Sequence, residues 1–158
     1  MHGSVDEVCA ALDKFTLRSL ELMEEKVSVT LQMEEILRDG HIELAKSRYI
    51  RGMENIGMLQ VPTEAGQFES LFKVQTELDE ESIPQFDVIN RKHNDEGKEI
   101  PDPIKWFGVL VPQNLRNAQK RFQATAQLSS KCGNIRTEII STTEKLNELK
   151  RIKKNISK

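Results

Sequence analysis

The side chains in this 158-residue sequence that could do chemistry are two cysteines (Cys9, Cys132), three histidines (His2, His41, His93) and a set of adjacent carboxylates. The cysteines lie far apart, no CxxC occurs and the histidines are scattered, so the spacing supports neither a zinc site nor a redox pair. Cys132 would need a base beside it in space to act as a nucleophile, and it falls on an apolar helical stripe, where a core position is the simpler assignment. His41 follows Gly40, and a surface position is expected. Glu24-Glu25 and Glu34-Glu35 are neighbours in sequence, so on a helix their carboxylates diverge and cannot share one substrate as an acid–base pair. Gly52 and Gly57 have the gap of a phosphate loop, but Met58 and Leu59 stand where the Lys and the Ser or Thr are required. Without that Lys nothing reaches the β- and γ-phosphates. No GxGxxG or HExxH is present. The residue types predict no enzyme, cofactor or metal.

The elements that carry these residues read as helix. Hydrophobic residues make up 37% of the chain and charged residues 30%, with few aromatics, which suits long helices with wide solvated faces better than a sandwich or barrel. The chain's length fits one domain. Its net charge of −2 conceals an asymmetry: −3 over residues 1–52, −7 over 53–112 and +8 over 113–158. The basic third could face nucleic acid, an anionic membrane or an acidic partner. No aromatics interleave with the Lys and Arg of its tail, Lys150 to Lys154, which disfavours nucleic acid, and cations near a helix end are also favoured by the dipole alone. The N-terminal MHGSVDEV is acidic without an apolar core, so no signal peptide is expected. No apolar run approaches roughly 18 residues, so no membrane span is expected.

Ser4 and Glu7 form a capping-box pattern. From there Val5, Val8, Leu12, Phe15, Leu22, Val29, Met33 and Ile36 recur at three- and four-residue steps, interrupted by Ser19 and Lys26. The spacing predicts one helix over 5–51, weakened at Gly40 and resuming off-register at Ile42, Ala45 and Tyr49. Residues 52–111 form an irregular acidic insert rich in Pro and Gly. Within it, Phe68, Phe72, Val74 and Leu78 suggest a short strand or hairpin arm at 68–78, and the polar run 90–102 reads as a disordered loop. A second helix over 112–154 starts at Pro112, with a stripe of Leu115, Ala118, Phe122, Leu128, Cys132, Ile135, Ile139, Leu146 and Leu149. Gly133 and Thr142 weaken it. The predicted fold is mainly α, a long antiparallel helical hairpin or coiled coil interrupted by the insert, with faces left over for partner helices.

One segment stands apart. Ile100 to Phe122 reads IPDPIKWFGVLVPQNLRNAQKRF and holds the single Trp of the chain beside Phe107. Large apolar residues flanked by prolines should fold back onto the helices, either as a plug over one end of the hairpin or as a docking surface, since Trp and Phe are favoured interface anchors. The stretch WFGVLVPQNLRNAQKRF, together with LAKSRYIRG at 44–52, resembles the coiled-coil-domain assembly factor of the vacuolar proton ATPase, the soluble member of a pair of factors that work at the endoplasmic reticulum. The resemblance implies a chaperone-like role in building the membrane-embedded, proton-translocating sector and hence in organelle acidification. It also implies an integral membrane partner, transient contact with membrane-sector subunits, and a peripheral position on the cytosolic face of the endoplasmic reticulum, early secretory vesicles and endolysosomes. Membrane association would come through the partner, aided by the basic tail. The matched residues are Leu44, Ala45, Arg48, Tyr49, Trp106, Phe107, Leu110, Pro112, Leu115, Arg116 and Gln119, and they are the expected partner-binding set. The competing reading is a structural coiled-coil adaptor or tether of a trafficking complex.

Overall fold

A computed structural model describes residues 5–63 and 69–156. The chain is mainly α. Helix α1 spans Val5–Arg51, strands β1 (Phe72–Leu78) and β2 (Pro84–Asn90) form a two-stranded sheet, and helix α2 spans Gln113–Ile156. Short 3-10 helices occupy Met58–Gln60 and Pro103–Phe107. The expected cap at Ser4 and the strand residue Phe68 lie outside the described residues.

The long helices obey end rules. Helix α1 opens with Asp6 and Glu7 and closes with Arg48 and Arg51, each complementing the local end of the dipole. Gly52 stops it with φ +88, a left-handed conformation that suits glycine, and its N–H donates to the Arg48 carbonyl at 2.9 Å. At Gly57 a Cβ would stand 2.9 Å from the Met53 carbonyl oxygen. The Gly52/Gly57 spacing therefore answers to backbone geometry. Pro112 precedes α2, and its carbonyl accepts from the Leu115 and Arg116 amides at 3.0 and 3.4 Å. Lys153 and Lys154 occupy the last turn of α2.

The chain divides into two compact units. In the first, built from the described residues of 1–31, 76–86 and 131–158, Arg18 donates to Glu138 at 2.6 and 2.8 Å and Lys131 pairs with Glu25 at 3.1 Å. Pairs that rise on one helix while falling on the other make the two segments antiparallel. Val8, Leu22, Val29 and Ile135 are buried in this unit, and Ser19 and Thr142 are buried with them. Lys26, on the same sequence stripe, is exposed. The Glu138 hydrogen bond raises the Arg18 pKa further above its ordinary range. The hairpin end lies against α2. Asn134 accepts from the Phe86 amide at 2.7 Å and donates to the Phe86 carbonyl at 3.0 Å, so a side-chain amide pairs with strand backbone. The Phe86 ring sits over Gly133. Lys145 pairs with Glu81 and stands 5.6 Å from the Phe15 ring centroid.

In the second unit, residues 32–75 and 87–130, the α1 and α2 segments are again antiparallel: Asp39 pairs with Arg121, and Glu43 meets Asn117 and Asn114. Helix α1 runs unbroken through Gly40. That glycine is buried because the Phe122 ring fills the space beside it: a Cβ would come within 3.0 Å of Cε1. The buried stripe therefore continues in register through Gly40, Leu44 and the fully buried Ser47. Ile42, Ala45 and Tyr49, expected to resume the seam off-register, face outward instead, with Tyr49 92% exposed. Small residues carried the seam where the sequence pattern followed large ones. Gly40→Val should lower the melting temperature, since overpacking costs about 1–3 kcal/mol. A thermal scan by circular dichroism checks it.

Residues 90–102, expected as a disordered loop, carry a set of backbone hydrogen bonds. His93 and Glu99 form an antiparallel bridge, the Asn94 amide donates to the Lys98 carbonyl at 2.8 Å, and the Ile100 amide donates to the Lys92 carbonyl at 2.9 Å. The Asn94 side-chain oxygen accepts from the Glu96 and Lys98 amides. Ile100 is buried. An Asx-type turn and one apolar anchor order a segment whose composition is polar.

Candidate functional site

The second unit gathers most of the residues singled out by the sequence. Its core is Ile56, Ile104 and Leu115, with Leu44, Phe107 and Val111 packed against it. Four segments meet here: the end of α1, the turn after it that carries Ile56, the 3-10 helix Pro103–Phe107 and the start of α2. Asp102 holds the 3-10 helix in place. Its Oδ1 accepts from the Ile104 amide at 3.0 Å as a cap and from Gln119 Nε2 at 2.6 Å, which ties the turn to α2. Arg48 Nε donates to the Ile56 carbonyl at 3.1 Å, joining the α1 end to the same core.

Over this core lies an apolar groove of about 590 Å³ whose walls include Leu44, Phe72, Trp106, Phe107, Leu115 and Phe122, with Gln119 among the polar residues. A neighbouring shallow hollow is lined by Leu44, Ala45, Arg48 and Tyr49 with His41 and Met53. Leu44 contributes to both. The LAKSRY and WFG stretches, about sixty residues apart in sequence, therefore form adjoining surfaces. Pro112, Leu110 and Arg116 line neither hollow. The apolar run after Gly108 does not fold back as a whole: Val111 packs on the core, whereas Val109 and Leu110 are 94% and 80% exposed. Gly108 has φ +102, and the chain turns there, carrying the next two side chains away from the core. Leu71 and Phe72 in the groove wall were outside the expected partner-binding set. Phe72 belonged to the strand pattern, which said nothing of the helices it would meet, and Leu71 carried no signal.

Beside the groove sits a polar cluster that the helical pattern also left unmarked. The Glu43 carboxylate accepts from Lys46 Nζ at 2.8 Å and from Asn114 and Asn117 Nδ2 at 2.7 and 3.3 Å. The Lys46 hydrogen bond, helped by those from Asn114 and Asn117, holds the Glu43 carboxyl below the usual carboxylate range. A depressed native pKa makes the ionised form a stabilising one. That contribution is complete above the ordinary Glu pKa of about 4.3 and fades as pH falls through the lower native value. Glu43→Gln should be less stable than the parent at pH 7, with the difference in melting temperature closing below about pH 4. A series of thermal melts against pH reads this directly.

Among the described residues, no group of three or more His, Cys, Asp or Glu could hold a metal ion, and no helix is long and apolar enough to cross a membrane. The arrangement offers an apolar groove with polar edges, a surface that suits binding of an apolar segment or ligand.

Comparison with known proteins agrees with this character. The family model described as Vma22/CCDC115 matches residues 64–125, a span holding the 3-10 helix, the start of α2 and much of the groove. The human protein named Vacuolar ATPase assembly protein VMA22 is 30% identical over 151 residues, covering 82% of this chain and 84% of its own length. The mouse protein of the same name is 28% identical over 149 residues, with 81% and 83% covered, and that of Danio rerio is 23% identical over 175 residues, with 82% of each covered. With identity of this level spread over four-fifths of both chains, and with the family's own model lying on the segment that builds the groove, this chain belongs to the Vma22/CCDC115 family.

Proposed function

We propose that this chain is an assembly factor for the vacuolar proton-translocating ATPase. It acts as a chaperone for the membrane-embedded sector at the cytosolic face of the endoplasmic reticulum, and organelle acidification depends on it. The observation that carries the reading is the 30% identity, over 82% of the chain, to a relative named for vacuolar ATPase assembly. The groove supports it, because an assembly factor must hold an unfinished apolar surface and later release it. Leu44, Trp106, Phe107, Leu115 and Gln119 form the holding surface, with Ala45, Arg48 and Tyr49 extending it. Leu110, on its exposed turn, makes a further contact, Pro112 sets where α2 begins, and Arg116, exposed on the first turn of α2, adds a cation. An integral membrane partner brings the protein to the membrane, and the basic end of α2 adds attraction to anionic lipid, worth about 1 kcal/mol per Lys or Arg near the surface.

Affinity purification from a detergent extract tests the proposal. Recovery of a small membrane protein together with unfinished ATPase subunits is expected, and loss of the gene should leave organelles poorly acidified. Normal acidification would sink the proposal, and recovery of soluble coiled-coil proteins alone would replace it with the adaptor reading.

A further inference from the structure

Helix α1 carries two apolar stripes, and only one is used within the first unit. Leu22 and Val29 are buried. Leu20, Glu24 and Val27 are each displaced from those positions by two residues, about 200° around the helix. The second stripe runs Leu17, Leu20, Glu24, Val27, Leu31, alternating three- and four-residue steps as a coiled-coil seam does. Its four apolar members are 59–60% exposed, and Met23 on its flank is 50% exposed. A seam this regular, left in water on a helix that already has a packed face, is a surface awaiting another helix.

The charges state what kind of helix. Glu24 occupies a seam position between Leu20 and Val27, and Asp13 lies one step before Leu17 on the same line. Of the cations of this region, Arg18 and Lys26 fall on other faces at 3.6 residues per turn, Arg18 engaged with Glu138, while Lys14 lies at the N-terminal edge of the stripe, three residues before Leu17 and ten from Glu24. A second copy laid through the same stripe about its midpoint would set Glu24 against Glu24, a like-charge contact at the centre of a seam. Polar residues at such positions select partners and register. We infer that the Leu17–Leu31 stripe docks an amphipathic helix of another protein that places Lys or Arg opposite Glu24. This surface belongs to the first unit and does not depend on the assembly-factor reading.

The full chain can be tested with two synthetic helical peptides about four heptads long. Both have Leu seams. One carries Lys at the central seam position, and the other carries Glu there. Fluorescence anisotropy should show the Lys peptide binding at least about tenfold more tightly. Glu24→Lys should reverse or abolish that preference, and Leu20→Asn with Val27→Asn should remove binding while helical circular dichroism persists. Equal binding of both peptides, binding of neither, or a preference unchanged in Glu24→Lys would overturn the inference. So would sedimentation showing a dimer of this chain that the Leu20/Val27 variant dissolves, because the occupant would then be a second copy.

Discussion

Leu22→Ala will lower the melting temperature by about 5–15 °C. Leu22 is fully buried in the first unit. Truncating a buried Leu to Ala removes its transfer free energy and leaves a cavity, at a cost of about 2–5 kcal/mol. For a chain of this size each kcal/mol moves the midpoint by roughly 2–4 °C. The site has little chance to collapse around the loss, because the neighbouring buried positions Ser19 and Val29 are themselves small. Leu20, two residues away on the same helix and 60% exposed, is the control. Leu20→Ala should change stability by less than about 0.5 kcal/mol. Thermal and urea melts of the two variants measure the contrast, and equal effects would mean that the buried stripe has been assigned to the wrong face.

Trp106→Ala should weaken capture of the assembly partner about 30-fold or more while the helices persist. A Trp at the wall of an apolar groove has the profile of an interface anchor, and truncating such an anchor costs about 2–4 kcal/mol of binding, with each 1.4 kcal/mol a factor of about ten. Ile56→Ala separates binding from folding. Ile56 is buried in the core with Ile104 and Leu115 and lines neither hollow, so its truncation should lower the melting temperature by several degrees. Titration of the purified partner against each variant, beside a thermal melt, gives both quantities. If Trp106→Ala lowers the melting temperature as far as Ile56→Ala and leaves capture unchanged, the Trp is a plug and the groove is not the holding surface.

The division between these effects shows how far sequence periodicity reaches. The stripe from Val8 to Val29 was legible because large apolar residues repeat at helical spacing, and the buried positions Val8, Leu22 and Val29 follow it. Beyond Ile36 the same rule failed. The seam passes through Gly40 and Ser47, and a pattern of hydrophobicity does not register a glycine that is buried because Phe122 leaves no room for a side chain. Ile42 and Tyr49 then drew the seam to the wrong side. The run 90–102 misled in the opposite direction: its composition is polar, but one Asn side chain and buried Ile100 suffice to tie it down. In the WFGVLV segment, composition located the apolar residues but not their directions. A positive φ at Gly108 sends Val109 and Leu110 outward while Val111 returns to the core.

From sequence alone came the mainly helical class, the presence of two long helices around a middle insert and the two stretches that carry the family resemblance, because spacing and short motifs are local properties of a chain. The tertiary structure decided which of two apolar stripes on α1 is buried, since helical spacing makes both legitimate and only the packing of α2 chooses one. It also decided that Leu44, Trp106, Phe107 and Leu115 share one groove. Those residues are far apart along the chain, and their meeting depends on antiparallel packing within the second unit and on the Asp102–Gln119 hydrogen bond, long-range contacts that no local pattern encodes.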